Sequence, residues 1–220
     1  MKHIFFLILT TLAFLACETP EPAKKYSFEC YARFDEQAAK MTAEASLREG
    51  AANPLPVEPP GGIRYQKVAM KLVPIRGITY QHSYPADFTK EHLFEWKTAE
   101  GKSMEFTLQM SPLDSIFFEP KVLSRKQSAR FDWKGTPLER GEVLVFIWEN
   151  AAKKMTIPME LYQVGSSRSI EFPAVKIAEL PAGDWTYYVV RKKLQKATIE
   201  GVSVNGVAEY YTKAQKIKVL

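Results

Sequence analysis

Histidine, cysteine and helical periodicity are all scarce in this 220-residue chain. It has three histidines and two cysteines. Two thiols are too few for a disulfide framework or a four-thiolate zinc site. The histidines form no His-Glu-x-x-His pair, and no phosphate-binding loop, dinucleotide fingerprint or calcium loop occurs. Gly165-Ser166-Ser167-Arg168-Ser169 holds serines but no Gly-x-Ser-x-Gly elbow, so it reads as a polar turn. Paired carboxylates for sugar hydrolysis can lie far apart in a chain, yet no pair stands out. No apolar run reaches the roughly 20 residues that cross a bilayer as a helix. These absences predict no enzyme, no catalytic residues, no metal and no cofactor, with a hydrolase as the weakest reading.

What is present begins with an address. Met1-Lys2-His3 is a short basic start, and residues 4–16 are apolar except for Thr10 and Thr11. That is the order and length of an export signal. Phe14-Leu15-Ala16-Cys17 then resembles a bacterial lipobox; Phe14 stands where Leu or Val is usual in that family. The resemblance implies that residues 1–16 are removed and that Cys17 carries fatty-acyl chains on its thiol and its new amine. Several chains anchor durably where one binds only marginally. An ordinary signal peptidase cutting near Ala16 is the competing reading. Residues 17–25 follow as lipidated cysteine and tether, because Pro20 and Pro22 each lack a donor and restrict the residue before. The expected location is the bacterial cell envelope, at the outer membrane. With Cys17 acylated, Cys30 has no partner, and its place in a strand's apolar phase predicts a buried, inert thiol.

The body reads in period two. Phe28, Cys30, Ala32 and Phe34 alternate with Glu29, Tyr31 and Arg33. Met41, Ala43, Ala45 and Leu47 alternate with Thr42, Glu44 and Ser46. Strict alternation predicts strands, and short strands between turn signals predict a sandwich or barrel. Residues 143–148 are apolar in both phases, which predicts a strand covered on both faces. Asn205-Gly206 is a favourable hairpin turn pair. The expected fold is all-β, with two tandem immunoglobulin-like β-sandwiches over residues 26–114 and 115–220, dividing near residues 112–120. Leu180-Pro181-Ala182-Gly183-Asp184-Trp185-Thr186-Tyr187 resembles the E–F corner of immunoglobulin-like domains. The resemblance implies that the Tyr187 hydroxyl bonds back to the backbone. Val189 stands where antibody domains place a cysteine, so it extends to the wider architecture only.

Charge is unevenly spread within a net +5. Residues 121–220 carry 17 basic and 10 acidic side chains, against 12 and 15 in residues 17–120. Arg191, Lys192 and Lys193, with Lys196, form the densest basic run. With Tyr188 and Tyr210 they are the expected contact for an anionic or glycan ligand. The four tryptophans lie within strand patterns and read as core. Asp87, Glu91, His92 and Glu95 cluster in sequence, but charged loop residues are common and no geometry fixes them as metal ligands. Nucleic acid is not expected, since single-strand binders need a basic groove with interleaved aromatics. The resulting expectation is a non-enzymatic binding or scaffold module, held to a membrane by its lipid, with an envelope glycan or protein as partner. The alternative is a surface glycan-binding lipoprotein of a polysaccharide uptake system.

The anchor makes a direct prediction. Cells fed a fatty-acid probe should label the wild-type chain and not Cys17→Ser. Continued labelling of the variant would remove Cys17 as the site.

Overall fold

The computed structural model describes residues 25–74, 77–162 and 167–220. The leader, Cys17 and tether residues 18–24 lie outside the described residues, as do Gly165 and Ser166. The expectation of an all-β chain holds: eighteen strands are described, and one helix of five residues. In chain order the first nine are β1 Tyr26–Asp35, β2 Lys40–Glu49, β3 Leu55–Val57, β4 Arg64–Tyr65, β5 Val68–Ala69, β6 Lys71–Val73, β7 Thr79–Pro85, β8 Glu91–Lys97 and β9 Ser103–Gln109. Then come β10 Asp114–Glu119, β11 Val122–Leu123, β12 Ala129–Lys134, β13 Glu142–Asn150, β14 Met155–Leu161 and β15 Ser169–Phe172. Helix α1 Ala174–Ala178 precedes β16 Gly183–Ile199, β17 Val202–Tyr211 and β18 Gln215–Val219.

Eleven strands form one large sheet, whose main path runs β11-β18-β16-β17-β1-β2-β7-β6. Strand β16, 17 residues long, is its spine. One edge of β16 pairs with β13; the other pairs first with β18 and then with β17. Strand β1 joins β17 in parallel, from Ser27 opposite Ser203 to Asp35 opposite Tyr211. Two smaller sheets cover one face of this spine. The sheet β5-β4-β8-β9 lies over β1 and β17, where Phe28 stacks on Trp96 with ring centroids 3.8 Å apart. The sheet β10-β12-β15 lies over β13 and β16. There Phe118, Phe131 and Phe172 meet Phe146, Trp148 and Tyr187, with centroids 4.7–6.0 Å apart. Edge-to-face pairs of this kind add to the burial of large apolar rings. All four tryptophans are buried, as their strand positions predict.

Four expectations change. The division at 114/115 separates the two small sheets but not the large one. Residues 194–211 supply strands to the N-terminal sandwich, and one apolar cluster runs through both. The alternation that continues through the basic run is the reason: nothing between Gly183 and Ile199 stops the strand. Second, Asn205 and Gly206 lie inside β17 and make no turn; the chain turns at Glu200 and Gly201. Glycine is needed at 206 for closeness instead. A Cβ there would sit 2.7 Å from Leu108 Cδ1 and 2.9 Å from a Phe106 ring carbon. Third, β13 is central in its sheet but covered on one face only; Val143, Val145 and Ile147 on the other face are half-buried. Fourth, the bond expected of Tyr187 at the corner comes from Trp185, whose Nε1 donates to the Pro181 carbonyl at 2.8 Å. The Tyr187 ring packs on Trp148 and Phe118.

Arg191 requires a further correction. The sequence predicts it as an exposed contact for an anion, yet it is 2% exposed. It stands in phase with Trp185, Tyr187 and Val189, so the pleat turns it inward. Its Nη2 donates to Glu142 Oε2 at 2.5 Å and to the Pro137 carbonyl at 2.7 Å. Its Nη1 reaches the Thr136 carbonyl, the Thr136 hydroxyl and the Pro112 carbonyl at 2.9–3.2 Å. The guanidinium thus joins β16 to the β12–β13 loop and to the segment crossing between the two small sheets.

Two outcomes follow for stability. Arg191→Met leaves the Glu142 carboxylate buried without its cation, and should lower unfolding free energy by about 3–5 kcal/mol in urea titration. A chain ending at Ser111 lacks β16 and β17 and should show no cooperative unfolding. A cooperative transition in that fragment, or a wild-type midpoint in Arg191→Met, would contradict this account.

Candidate functional site

Strand alternation scatters the four predicted basic residues. Arg191 and Lys193 turn to the covered face of β16, and Lys193 Nζ lies 2.6 Å from Glu139 Oε2. Lys192 and Lys196 turn to the outer face. Tyr210, also predicted as a contact, is 4% exposed and packs on Phe34 and Phe88. It shares a phase with Val202, Val204 and Ala208, so burial follows from the same pleat. Tyr188 does face outward and is half-buried.

The outer face gathers a different set around Tyr188. The register brings Tyr31 and Arg33 of β1 beside Glu209 and Tyr211 of β17, and Lys192 of β16 opposite Glu209. The Tyr211 ring stacks with Tyr188, centroids 6.1 Å apart and planes 29° apart. The Arg33 guanidinium carbon lies 3.9 Å from the Tyr211 ring centre, within cation–π range. Glu209 Oε2 accepts from the Tyr31 hydroxyl at 2.7 Å and from Tyr211 at 3.0 Å. Arg33 also pairs with Asp35 at 3.2 Å. A cavity of about 250 Å³ opens here, lined by Arg33, Asp35, Glu149, Tyr188 and Tyr211. A second groove of about 440 Å³ continues along the same face, lined by Glu29, Tyr31, Glu44, Ser46, Arg48 and Asn205.

The electrostatics of these two cavities oppose the expected anionic ligand. The carboxylates lining the two cavities are Glu29, Asp35, Glu44 and Glu149 and the cations Arg33 and Arg48, with the Glu209–Lys192 pair beside them. Lys40, Lys196, Lys216 and Lys218 also turn outward on the same sheet, so the carboxylate surplus belongs to the cavity linings alone. Burial, then the Glu209 carboxylate, pushes the Tyr211 hydroxyl up to about 12. The same two causes, in that order, raise Tyr31 further. Both phenols therefore stay neutral near pH 7 and act as hydrogen-bonding, stacking groups.

The histidine–carboxylate cluster does not converge. In β8, alternation turns His92 into the core while Glu91 and Glu95 turn outward, and Asp87 is exposed. Among the described residues no group of three or more His, Cys, Asp or Glu side chains is poised to hold a metal. His92 Nδ1 lies 2.6 Å from the Tyr65 hydroxyl. Cys30 is 4% exposed, and burial pushes its thiol up to about 12. Both facts fit the inert role predicted from its strand phase.

No family model matches the chain, and no curated protein matches it. Among solved structures it is similar to a tandem pair of titin immunoglobulin domains, at 9% identity and a TM-score of 0.28. The likeness covers 90% of this chain and 98% of that one. It is a likeness of β-rich architecture; the strand order given above rests on the pairing itself.

Sequence reasoning missed Arg33, Tyr31, Glu209 and Tyr211 as a cluster. The signal was available in part: Tyr31 and Arg33 occupy the polar phase of β1, and Tyr211 the phase opposite Val202 and Val204. What no sequence pattern supplied was the parallel pairing of β1 with β17.

Buried His92 generates a pH prediction. Burial holds its imidazole down to about 4, outweighing a Thr89 backbone hydrogen bond that acts the other way. The unfolded chain, with an ordinary value near 6.5, takes up the proton first. His92's contribution is therefore complete above about pH 6.5 and is lost as pH falls towards 4, to a total of about 3 kcal/mol. Urea titrations at pH 7, 6 and 5 should show that decline, and His92→Gln should flatten it. An equal slope in both proteins would contradict the assignment.

Proposed function

We propose that this chain is a non-enzymatic binding module of the bacterial cell envelope, anchored through acyl chains on Cys17, whose outer sheet face takes a neutral glycan. The observation that carries the reading is the Tyr188–Tyr211 stack, with Arg33 against Tyr211 and Glu209 bridging Tyr31 and Tyr211. Aromatic rings stack on the apolar faces of sugars, while fixed carboxylate and guanidinium groups meet hydroxyls. A groove running on past Tyr31 suits a chain of sugars better than a single unit. The surplus of carboxylates lining the two cavities favours a neutral polymer there over the acidic glycan or lipid headgroup that the basic run of the sequence suggests. Neutral phenols and a buried thiol support binding and not turnover. The outer membrane is the proposed site of anchoring, as the lipobox resemblance implies. A place in a polysaccharide uptake system is the narrower form of the same reading.

The test is binding of neutral polysaccharides, and of lipopolysaccharide, at low and at physiological salt. A neutral glycan should bind with little salt dependence, and Tyr211→Ala should weaken it about tenfold, the scale of one lost stacking contact with its hydrogen bond. Absence of binding to every polymer would leave protein scaffolding as the function. Turnover of a glycan by pure protein would remove the non-enzymatic reading.

A further inference from the structure

A third concavity, of about 340 Å³, lies on the outer face between the start of β13, the end of β14 and the middle of β16. Its volume falls within the range of small-molecule sites. Its wall is Val143, Tyr162 and Leu194, and the last two are unusually open for large apolar side chains, at 71% and 55% exposed. Its charged residues are Arg140, Lys192, Glu160 and the buried Glu142. Among the described residues, Arg140 makes no hydrogen bond or ion pair. Lys192 is held loosely, 3.6 Å from Glu209. Of its two carboxylates, Glu142 is neutralised by Arg191 and Glu160 already accepts from the Tyr162 hydroxyl at 2.5 Å.

The mount of Arg140 is rigid. The Glu139 amide donates to Glu142 Oε2 at 2.7 Å, and the Glu142 amide donates to the Glu139 carbonyl at 3.1 Å. Glu142 is in turn fixed by Arg191. Gly141, at φ +86°, makes the turn that a side chain would strain. Its carbonyl accepts from the Leu194 amide at 3.4 Å. A guanidinium without a partner among the described residues is thus presented on a braced turn at the rim of an apolar wall. The braced turn fixes where the guanidinium stem starts, so no loop need be ordered on binding.

We propose that this concavity binds a small amphiphilic anion, a carboxylate or phosphate head on an apolar chain. The head pairs with Arg140 and is joined by Lys192, and the chain lies along Val143, Tyr162 and Leu194. A guanidinium fork receives an oxyanion through two parallel hydrogen bonds. This site is separate from the tyrosine patch, and its reading does not depend on a glycan.

The experiment uses the full chain carrying Cys17→Ser, purified without detergent, and titrates decanoate by calorimetry below its micelle concentration. Decanoate should bind one to one, and decanol, which lacks the charge, at least tenfold more weakly. Arg140→Gln should lose most of the affinity and Leu194→Ser several-fold, while Lys216→Gln, on β18, should change nothing. Circular dichroism of each variant should match the parent, since Arg140 and Leu194 are exposed. Equal binding of decanoate and decanol would overturn the proposal, as would wild-type affinity in Arg140→Gln. Retention on phosphatidylglycerol vesicles without binding of monomeric decanoate would overturn it too, by assigning the charge to a membrane surface.

Discussion

Burying the Arg191 guanidinium is the constraint around which both sandwiches are arranged. A charge in the core is tolerable only if its donors are met, and an arginine has five in a fixed fork. One carboxylate, three carbonyls and a hydroxyl meet them here, drawn from three separate places in the chain. Each acceptor fixes a loop. Pro112 fixes the crossing between the small sheets, and Thr136 and Pro137 fix the approach to β13. A lysine has three donors on a compact head and could not span this set. Because Arg191 sits inside β16 and not at its end, the strand continues past it into the second sandwich.

That continuity determines what the outer face carries. Tyr31 and Arg33 come from the first strand of the fold and Tyr188 and Tyr211 from near its end. They meet because β1 docks in parallel on β17, across a sequence separation of 176 residues at each pair, as at Ser27 and Ser203. Such contacts form only after the intervening chain is ordered, since loop closure costs entropy before pairing rewards it. The tyrosine cluster is therefore a property of the finished sheet. Neither half of the chain holds it alone.

Individual strand faces were legible in the sequence; the joins between strands were not. Alternation placed Phe28, Cys30, Ala32 and Phe34 correctly, and Met41, Ala43, Ala45 and Leu47 with them. It also held what the chemistry of the side chains obscured. Tyr210 and Arg191 stand in the inward phase of their strands, but a tyrosine hydroxyl and a guanidinium read as surface groups, and residues 191–193 read as one basic run. Gly206 misled for a related reason. Glycine permits both a turn and a close approach, and only the position of Phe106 and Leu108 on the facing sheet decides between them. The parallel β1–β17 register left no local mark, because pairing partners impose no periodicity on each other beyond the alternation each already has.

The large sheet is open, so its edges bear on where contacts form. An exposed edge is a template for another strand unless it is short or interrupted. Strand β6 has three residues and β11 has two. Strand β14 is longer, but Pro158 at its centre lacks an amide to donate. Strand addition is thus disfavoured at each of these margins. The broad features left to a partner are faces, and one face is already covered by the two small sheets. The other holds the stacked tyrosines, the groove past Tyr31 and the Arg140 concavity. Closed edges and a bare, chemically varied face are what a sheet requires if it is to bind other molecules without pairing with copies of itself.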